Sequence, residues 1–127
     1  MLNKKERTIL EYKEKILHEI DNARKNHFLA IVEGKKDAES LRKLGLTEIF
    51  ILKENNRSLK ETIEKIPVKK KAIILTDFDS EGKKLYKIIR KEFGERGIKI
   101  DDSLRFLLLK GKISHIEGLD SFLSRQI

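Results

Sequence analysis

The sequence predicts an α/β fold with a four-stranded, mainly parallel sheet flanked by helices and one further helix ahead of it. Two observations carry this. Short continuous apolar runs recur along the chain, and each is followed by a segment whose apolar residues return every three or four positions. Strands alternating with helical segments of about ten residues are the mark of βαβ units, and consecutive βαβ units build a parallel sheet.

The elements follow in order. Residues 3–26 carry Ile9, Tyr12, Ile16, Ile20 and Ala23 at helical spacing, with Leu10 and Leu17 widening the stripe. Asn3 is the expected N-cap, with Glu6 as its capping-box partner. Phe28–Val32 (FLAIV) reads as a strand buried on both faces. Residues 36–44 place Ala38, Leu41 and Leu44 on one helical side, closed by Gly45. Glu48–Leu52 is the second strand, and Ser58–Ile66 a short helix with Leu59, Ile63 and Ile66 on one side, ended by Pro67. Lys71–Thr76 is the third strand. Residues 80–93 form a helix with Leu85, Ile88, Ile89 and Phe93 inward. Leu104–Leu109 (LRFLLL) is expected as the fourth strand and residues 113–125 as a last helical stretch. Residues 1–26 are thus an N-terminal addition to an α/β domain over 27–127.

Composition narrows the function. At 127 residues a single domain with an ordinary core is expected. Lys and Arg number 29 against 21 Asp and Glu, a net charge of +8, which favours a polyanionic partner, most commonly nucleic acid. Cysteine is absent, which excludes disulfides, thiolate zinc sites and a cysteine nucleophile, and points to a reducing, cytoplasmic setting. No apolar run approaches the roughly 20 residues that cross a bilayer, and the N-terminus alternates charged with apolar residues unlike a signal peptide. No membrane partner is expected. The richness in Lys and Glu resembles usage in hot-growing organisms.

Ligands of open parallel sheets sit beyond the carboxyl ends of the strands. The first strand ends in Glu33-Gly34-Lys35-Lys36-Asp37 and the third in Asp77-Phe78-Asp79-Ser80-Glu81-Gly82. If these strands are neighbours, Glu33, Asp77 and Asp79 share one edge. Asp77 and Asp79, two apart, project to the same side of extended chain. Clustered carboxylates repel, and a hard divalent cation such as Mg²⁺ relieves that cost while accepting phosphate oxygens. Gly34 and Gly82 suit close approach by a phosphate. The plainer reading is open at this point: Asp79 or Ser80 caps the next helix, and Glu33 pairs with a lysine.

The segments IVEGKKD and ILTDFDSEG, with Glu33 and Asp77 44 positions apart, resemble the two motifs of the Toprim domain. That family is shared by type IA and type II topoisomerases, DnaG-type primases, OLD-family nucleases and the bacterial ribonuclease that matures 5S ribosomal RNA. The likeness covers roughly residues 28–125 and is nearest to small stand-alone, primase-like members and to the 5S maturase. It implies a Rossmann-like Toprim fold over 27–127, with Glu33 as general acid or base and Asp77 and Asp79 holding Mg²⁺ (or Mn²⁺), Glu33 assisting. It also implies additional acidic positions at Asp37 and, in His115-Ile116-Glu117-Gly118, at Glu117. There is no cysteine zinc module and no room for the domain that carries the topoisomerase tyrosine.

An Asp-x-Asp also opens phosphatases of the haloacid-dehalogenase type, but there it ends the first strand, and here Glu81 stands where Thr or Val normally follows. Lys35, Lys36, Lys53, Arg57, Lys83, Lys84, Lys110 and Lys112 flank the acidic edge, either as a phosphate track or as solvated helix faces. Lys69-Lys70-Lys71 lies at the opposite end. His115 reads as a packing or capping histidine. Two functions result: a Mg²⁺-dependent nuclease or phosphotransferase acting on RNA or DNA, or a non-catalytic module that grips nucleic acid through the same metal within a larger complex.

Overall fold

The computed structural model of the protein describes residues 1–54, 57–67 and 71–125. Residues 55, 56, 69 and 70, which belong to the turn after the second strand and to the lysine run before the third, lie outside the described residues. The elements are α1 (Lys4–Lys25), β1 (Leu29–Val32), α2 (Lys35–Lys43), β2 (Ile49–Ile51), α3 (Leu59–Glu64), β3 (Lys71–Ile74), α4 (Ser80–Glu95), β4 (Lys99–Ile100), α5 (Ser103–Lys110) and α6 (Leu119–Ser124). A single 3₁₀ turn, Ile116–Gly118, precedes α6.

The sheet is parallel throughout, in the order β2-β1-β3-β4. Because side chains alternate along a strand, each central strand feeds two cores. Ala30, Val32, Ile73 and Leu75 face Ile16 and Ile20 of α1, Leu41 of α2 and Leu104 and Leu108 of α5. Ile31, Ala72 and Ile74 face Ile63 of α3 and Leu85, Ile89 and Phe93 of α4. Helices therefore cover both faces, as the continuous apolar runs require.

Helix α1 begins with the expected capping box. The Asn3 side chain accepts from the Glu6 N–H at 2.8 Å and the Glu6 carboxylate accepts from the Asn3 N–H at 3.3 Å. Three residues of the predicted stripes turn outward: Leu17, Leu59 and Ile88 are exposed.

The fourth strand is displaced from its expected place. LRFLLL is helix α5, and β4 is the two-residue segment Lys99–Ile100, paired with Lys71 and Ala72. Leu104 and Leu108, four apart, are buried while Phe106 and Leu109 are exposed. That is helical spacing, which a six-residue apolar run conceals. The last helical stretch likewise starts later than expected. Residues 113–115 are not helical, and His115 has extended backbone (φ −132°, ψ 131°). Segment 116–124 then docks on α2, where Ser40 Oγ donates to Asp120 at 2.7 Å and accepts the Asp120 N–H at 3.0 Å.

Candidate functional site

Strands β1 and β3 are hydrogen-bonded neighbours, with Ile31 opposite Ile74. Their carboxyl ends therefore bring Glu33 and Asp77 to one edge. Pairing persists past the regular strands, because the Leu75 N–H donates to Ile31 O at 2.8 Å. Two residues on, the Asp77 N–H donates to the Glu33 carboxylate (Oε2) at 2.7 Å. On the other flank the Lys53 N–H donates to Glu33 O at 3.0 Å, so the parallel register sets Lys53 beside Glu33. Lys53 Nζ lies 3.4 Å from Glu33 Oε1 and 2.8 Å from Glu81 Oε1. Glu33 is 7% exposed, so its two oxygens are spent on a backbone N–H and a lysine at the mouth of the edge.

Asp77 and Asp79 are each held by one oxygen. Asp77 Oδ1 accepts the Ile116 N–H at 3.0 Å, and Asp79 Oδ1 accepts the Gly82 N–H at 2.8 Å as the N-cap of α4. The plainer roles for Glu33 and Asp79, pairing with lysine and capping a helix, are thus both realised. They leave the second oxygen of each aspartate outside these bonds. Among the described residues, Asp77, Asp79 and His115 each offer a ligand atom, all within 4.8 Å of one another. Two carboxylates and an imidazole are a donor set that suits a divalent cation. The sequence expected Glu33 in this triad. Glu33 lies outside this group of ligand atoms, bonded to the Asp77 N–H, and His115 lies within it.

Asp37 lies in the first turn of α2, is 7% exposed and accepts the Gly34 N–H at 3.0 Å. Burial pushes its pKa up, and the charges of Asp77, Glu33 and Glu117 push it further, against the Gly34 N–H. Glu117, at the 3₁₀ turn, is exposed and near enough to contribute to that field. Asp37 thus stands in the field of three further carboxylates of this edge, of which Glu33 is paired with Lys53.

Gly82 plays a different part from the expected one. A Cβ there would stand 2.0 Å from Asp77 O, so the close approach is by the site's own backbone and not by a phosphate. Gly34 keeps the open position, its added Cβ meeting only Asp37 Oδ2 at 3.9 Å.

Beneath the loop sits Arg105, 5% exposed. Its Nη1 donates to Thr76 O at 2.8 Å and Ile74 O at 3.1 Å, and its guanidinium lies 4.7 and 4.3 Å from the ring centres of Phe78 and Tyr86. Burial lowers its pKa, opposed by Tyr86, Asp102, Glu33 and Asp77. Arg105 thereby fixes the strand end from which Asp77 and Asp79 hang. Sequence reading missed it because it sat inside the misassigned strand. It missed His115 because a lone histidine has no spacing that betrays its partners.

The lysines are arranged around this edge. Lys35 and Lys36 open α2, Lys83 and Lys84 lie in the first turns of α4, and Lys112 lies in the loop before His115; all are exposed. Lys112 adopts a left-handed backbone (φ 57°) in the turn that follows α5.

This geometry of a strand-end glutamate joined to an Asp-x-Asp loop is accompanied by a match of the Toprim domain family over residues 28–116. The chain belongs to the Toprim family. Its relatives are small archaeal UPF0292 proteins. One from Methanocaldococcus jannaschii is 38% identical over 92% of this chain and 96% of its own length. One from Methanosarcina acetivorans is 34% identical over 91% of this chain and 83% of its own. A solved structure of a putative protein from Aquifex aeolicus matches with a TM-score of 0.70 at 25% identity, covering 82% of this chain and 94% of that one. Membership in the family implies a metal-dependent, nucleic-acid-related function. No helix among the described residues is long and apolar enough to cross a membrane.

Proposed function

We propose that this protein is a Mg²⁺- or Mn²⁺-dependent enzyme that cleaves or transfers phosphodiesters of RNA or DNA. The observation that carries the proposal is the join of Glu33 to the Asp77 N–H, which locks a carboxylate against the loop bearing the Asp pair. Asp77 and Asp79 would hold the cation through their second oxygens. When bound, it supplies charge stabilisation to the phosphoryl oxygens in flight. Glu33 moves the proton. Its Oε2 is fixed by the backbone, so Oε1, shared with Lys53, is the atom that gives or takes it. Lys53 is displaced toward the phosphate as the substrate enters, and its Glu81 bond holds it near the edge in the meantime.

The flanking lysines support a nucleic-acid substrate. Lys35 and Lys36 stand at the N-terminus of α2, where the helix dipole disfavours cations, and Lys83 and Lys84 lie a turn into α4. Helix stability does not account for Lys35 and Lys36, which supports a phosphate track that Lys83 and Lys84 extend. Asp37 and Glu117 shape the field at the cation, a role supported by the mutual influence of Asp37, Asp77 and Glu117.

The test is a cleavage screen on structured RNA, single strands and duplex DNA with Mg²⁺ or Mn²⁺, run on wild type and Glu33→Gln. The amide keeps an acceptor for the Asp77 N–H, so the fold is retained. Cleavage should fall by about 10²- to 10⁴-fold, with affinity level or slightly raised. Salt-sensitive binding without cleavage in either protein would instead establish the non-catalytic binding module. Wild-type cleavage undiminished in the variant would take the proton-transfer role away from Glu33.

A further inference from the structure

The cation site outlined above rests on two aspartates at a strand end, but the tight group of ligand atoms has a third member from a distant part of the chain. His115 is exposed, and yet the backbone on either side of it is pinned to the Asp77–Asp79 loop. On one side the Phe78 N–H donates to Ser114 O at 3.1 Å. On the other the Ile116 N–H donates to Asp77 Oδ1 at 3.0 Å. These two bonds clamp the histidine above the loop, with its ligand atom within 4.8 Å of those of Asp77 and Asp79.

The ring is oriented as well as placed. His115 Nδ1 lies 2.8 Å from Ser114 Oγ. Metal-bound histidines usually donate their second ring nitrogen to such a partner, which fixes the tautomer and leaves the other nitrogen's lone pair for the ion. The tautomer with Nδ1–H donating to Ser114 Oγ is the one that leaves the Nε2 lone pair for an ion. Each aspartate likewise has one oxygen anchored, by Ile116 or Gly82, and the other available. The three donors are therefore two carboxylate oxygens and one imidazole nitrogen, each held by an outer partner.

We infer that His115 is a direct nitrogen ligand of the cation and gives the site a preference for Mn²⁺ and Co²⁺ over Mg²⁺. The chemical reason is ligand softness. Mg²⁺ takes oxygen donors almost exclusively and keeps its waters, so an imidazole adds little to its binding. Imidazole binds first-row transition ions well, and their affinities at one nitrogen-containing site rise from Mn²⁺ to Co²⁺. An all-oxygen pair would discriminate far less. This inference rests on the proposal that Asp77 and Asp79 hold a cation, and the two can fail separately.

The experiment is metal binding by calorimetry with Mg²⁺, Mn²⁺ and Co²⁺ on wild type, His115→Ala and Asp77→Asn, joined to pulsed electron paramagnetic resonance of the Mn²⁺-loaded protein. Circular dichroism confirms folding, which the exposed position of His115 favours in its variant. Wild type should bind Mn²⁺ and Co²⁺ at least about tenfold more tightly than Mg²⁺. His115→Ala should lose most of that preference while its Mg²⁺ affinity changes by less than about threefold. The Mn²⁺ spectrum should carry ¹⁴N modulation in wild type that disappears in His115→Ala. Cation binding that needs Asp77 but shows no ¹⁴N modulation and no change of metal preference in His115→Ala overturns this inference and leaves the aspartate site standing. Absence of cation binding in wild type overturns both.

Discussion

Replacing Gly82 with alanine probes how tightly the Asp77–Asp79 loop is seated against helix α4. The added Cβ would lie 2.0 Å from Asp77 O, 2.5 Å from its carbonyl carbon and 2.9 Å from its Cα. Carbon atoms of this kind essentially never approach closer than 3.0 Å, so loop and helix must part by about 1 Å. The obstacle is backbone, and no side-chain rotation relieves it. Parting them also strains two bonds at the glycine itself, from its N–H to Asp79 Oδ1 at 2.8 Å and from Thr76 Oγ1 to its carbonyl at 2.7 Å. Overpacking costs ~1–3 kcal/mol and each weakened hydrogen bond ~0.5–1.5 kcal/mol. The better helix propensity of alanine returns less than ~1 kcal/mol. Together these terms span ~1–6 kcal/mol, and the middle of that range is a loss of ~2–4 kcal/mol. With an unfolding entropy of ~0.27 kcal/mol/K at this chain length, that is a fall in Tm of ~7–15 °C. Thermal denaturation in chelator and in excess Mn²⁺ measures both the fall and the metal-dependent rise, which should shrink because the loop that presents the aspartates has moved. A Tm within ~2 °C of wild type, with the full metal-dependent rise, would refute the reasoning.

Three further outcomes are expected. Asp77→Asn keeps an acceptor for the Ile116 N–H but should abolish the thermal shift produced by cation, which in wild type reaches ~2.7 kcal/mol at a hundred times the dissociation constant; a full shift in the variant would remove Asp77 from the site. Nucleic-acid affinity should fall with salt at a log–log slope of about −3 to −4 if roughly four phosphates are contacted, and Lys83→Ala with Lys84→Ala should flatten it, which filter binding across a salt series would check. Asp37 has a folded pKa above its unfolded one, so the stability linked to its proton is fully present below the ordinary value of 3.8 and is lost as pH rises through the folded value. Asp37→Asn should therefore gain on wild type in metal-free buffer at pH 7 and lose that advantage on acidification; a gap between the two that does not vary with pH would contradict the raised pKa.

Much of this could be read from the residues. The capping box at Asn3 and Glu6 is a local bond pattern and appears as written. The three apolar runs that became β1, β2 and β3 were bounded by turn residues, and their carboxyl ends located the acidic edge. The run at Leu104–Leu109 was short enough to serve either period, and what decided it was tertiary: Arg105 had to reach Thr76 and Ile74, while β4 needed only two residues to pair with Lys71 and Ala72. His115 was legible as a residue but not as a neighbour. Its place depends on where segment 114–116 crosses the loop, and that crossing is set by two hydrogen bonds, from the Phe78 N–H to Ser114 O and from the Ile116 N–H to the Asp77 carboxylate, that no spacing announces.

Asp79 has two employments that can drift apart over evolutionary time. One oxygen caps α4 through the Gly82 N–H, a task that Asn, Ser or Thr performs nearly as well. On the proposed reading its carboxylate also serves the cation beside Asp77 and His115, whose ligand atoms lie within 4.8 Å of its own, and there a neutral side chain is a poor substitute. A lineage released from the need for a cation can exchange Asp79 for Asn or Ser without unravelling the helix, and such a descendant would look sound in any survey of folding. Gly82 has no such freedom, since its constraint is the Asp77 backbone itself. If Asp79 holds the cation as proposed, the residue at position 79 among descendants of this chain marks whether an ion-dependent chemistry persists, and the residue at 82 only whether the scaffold does.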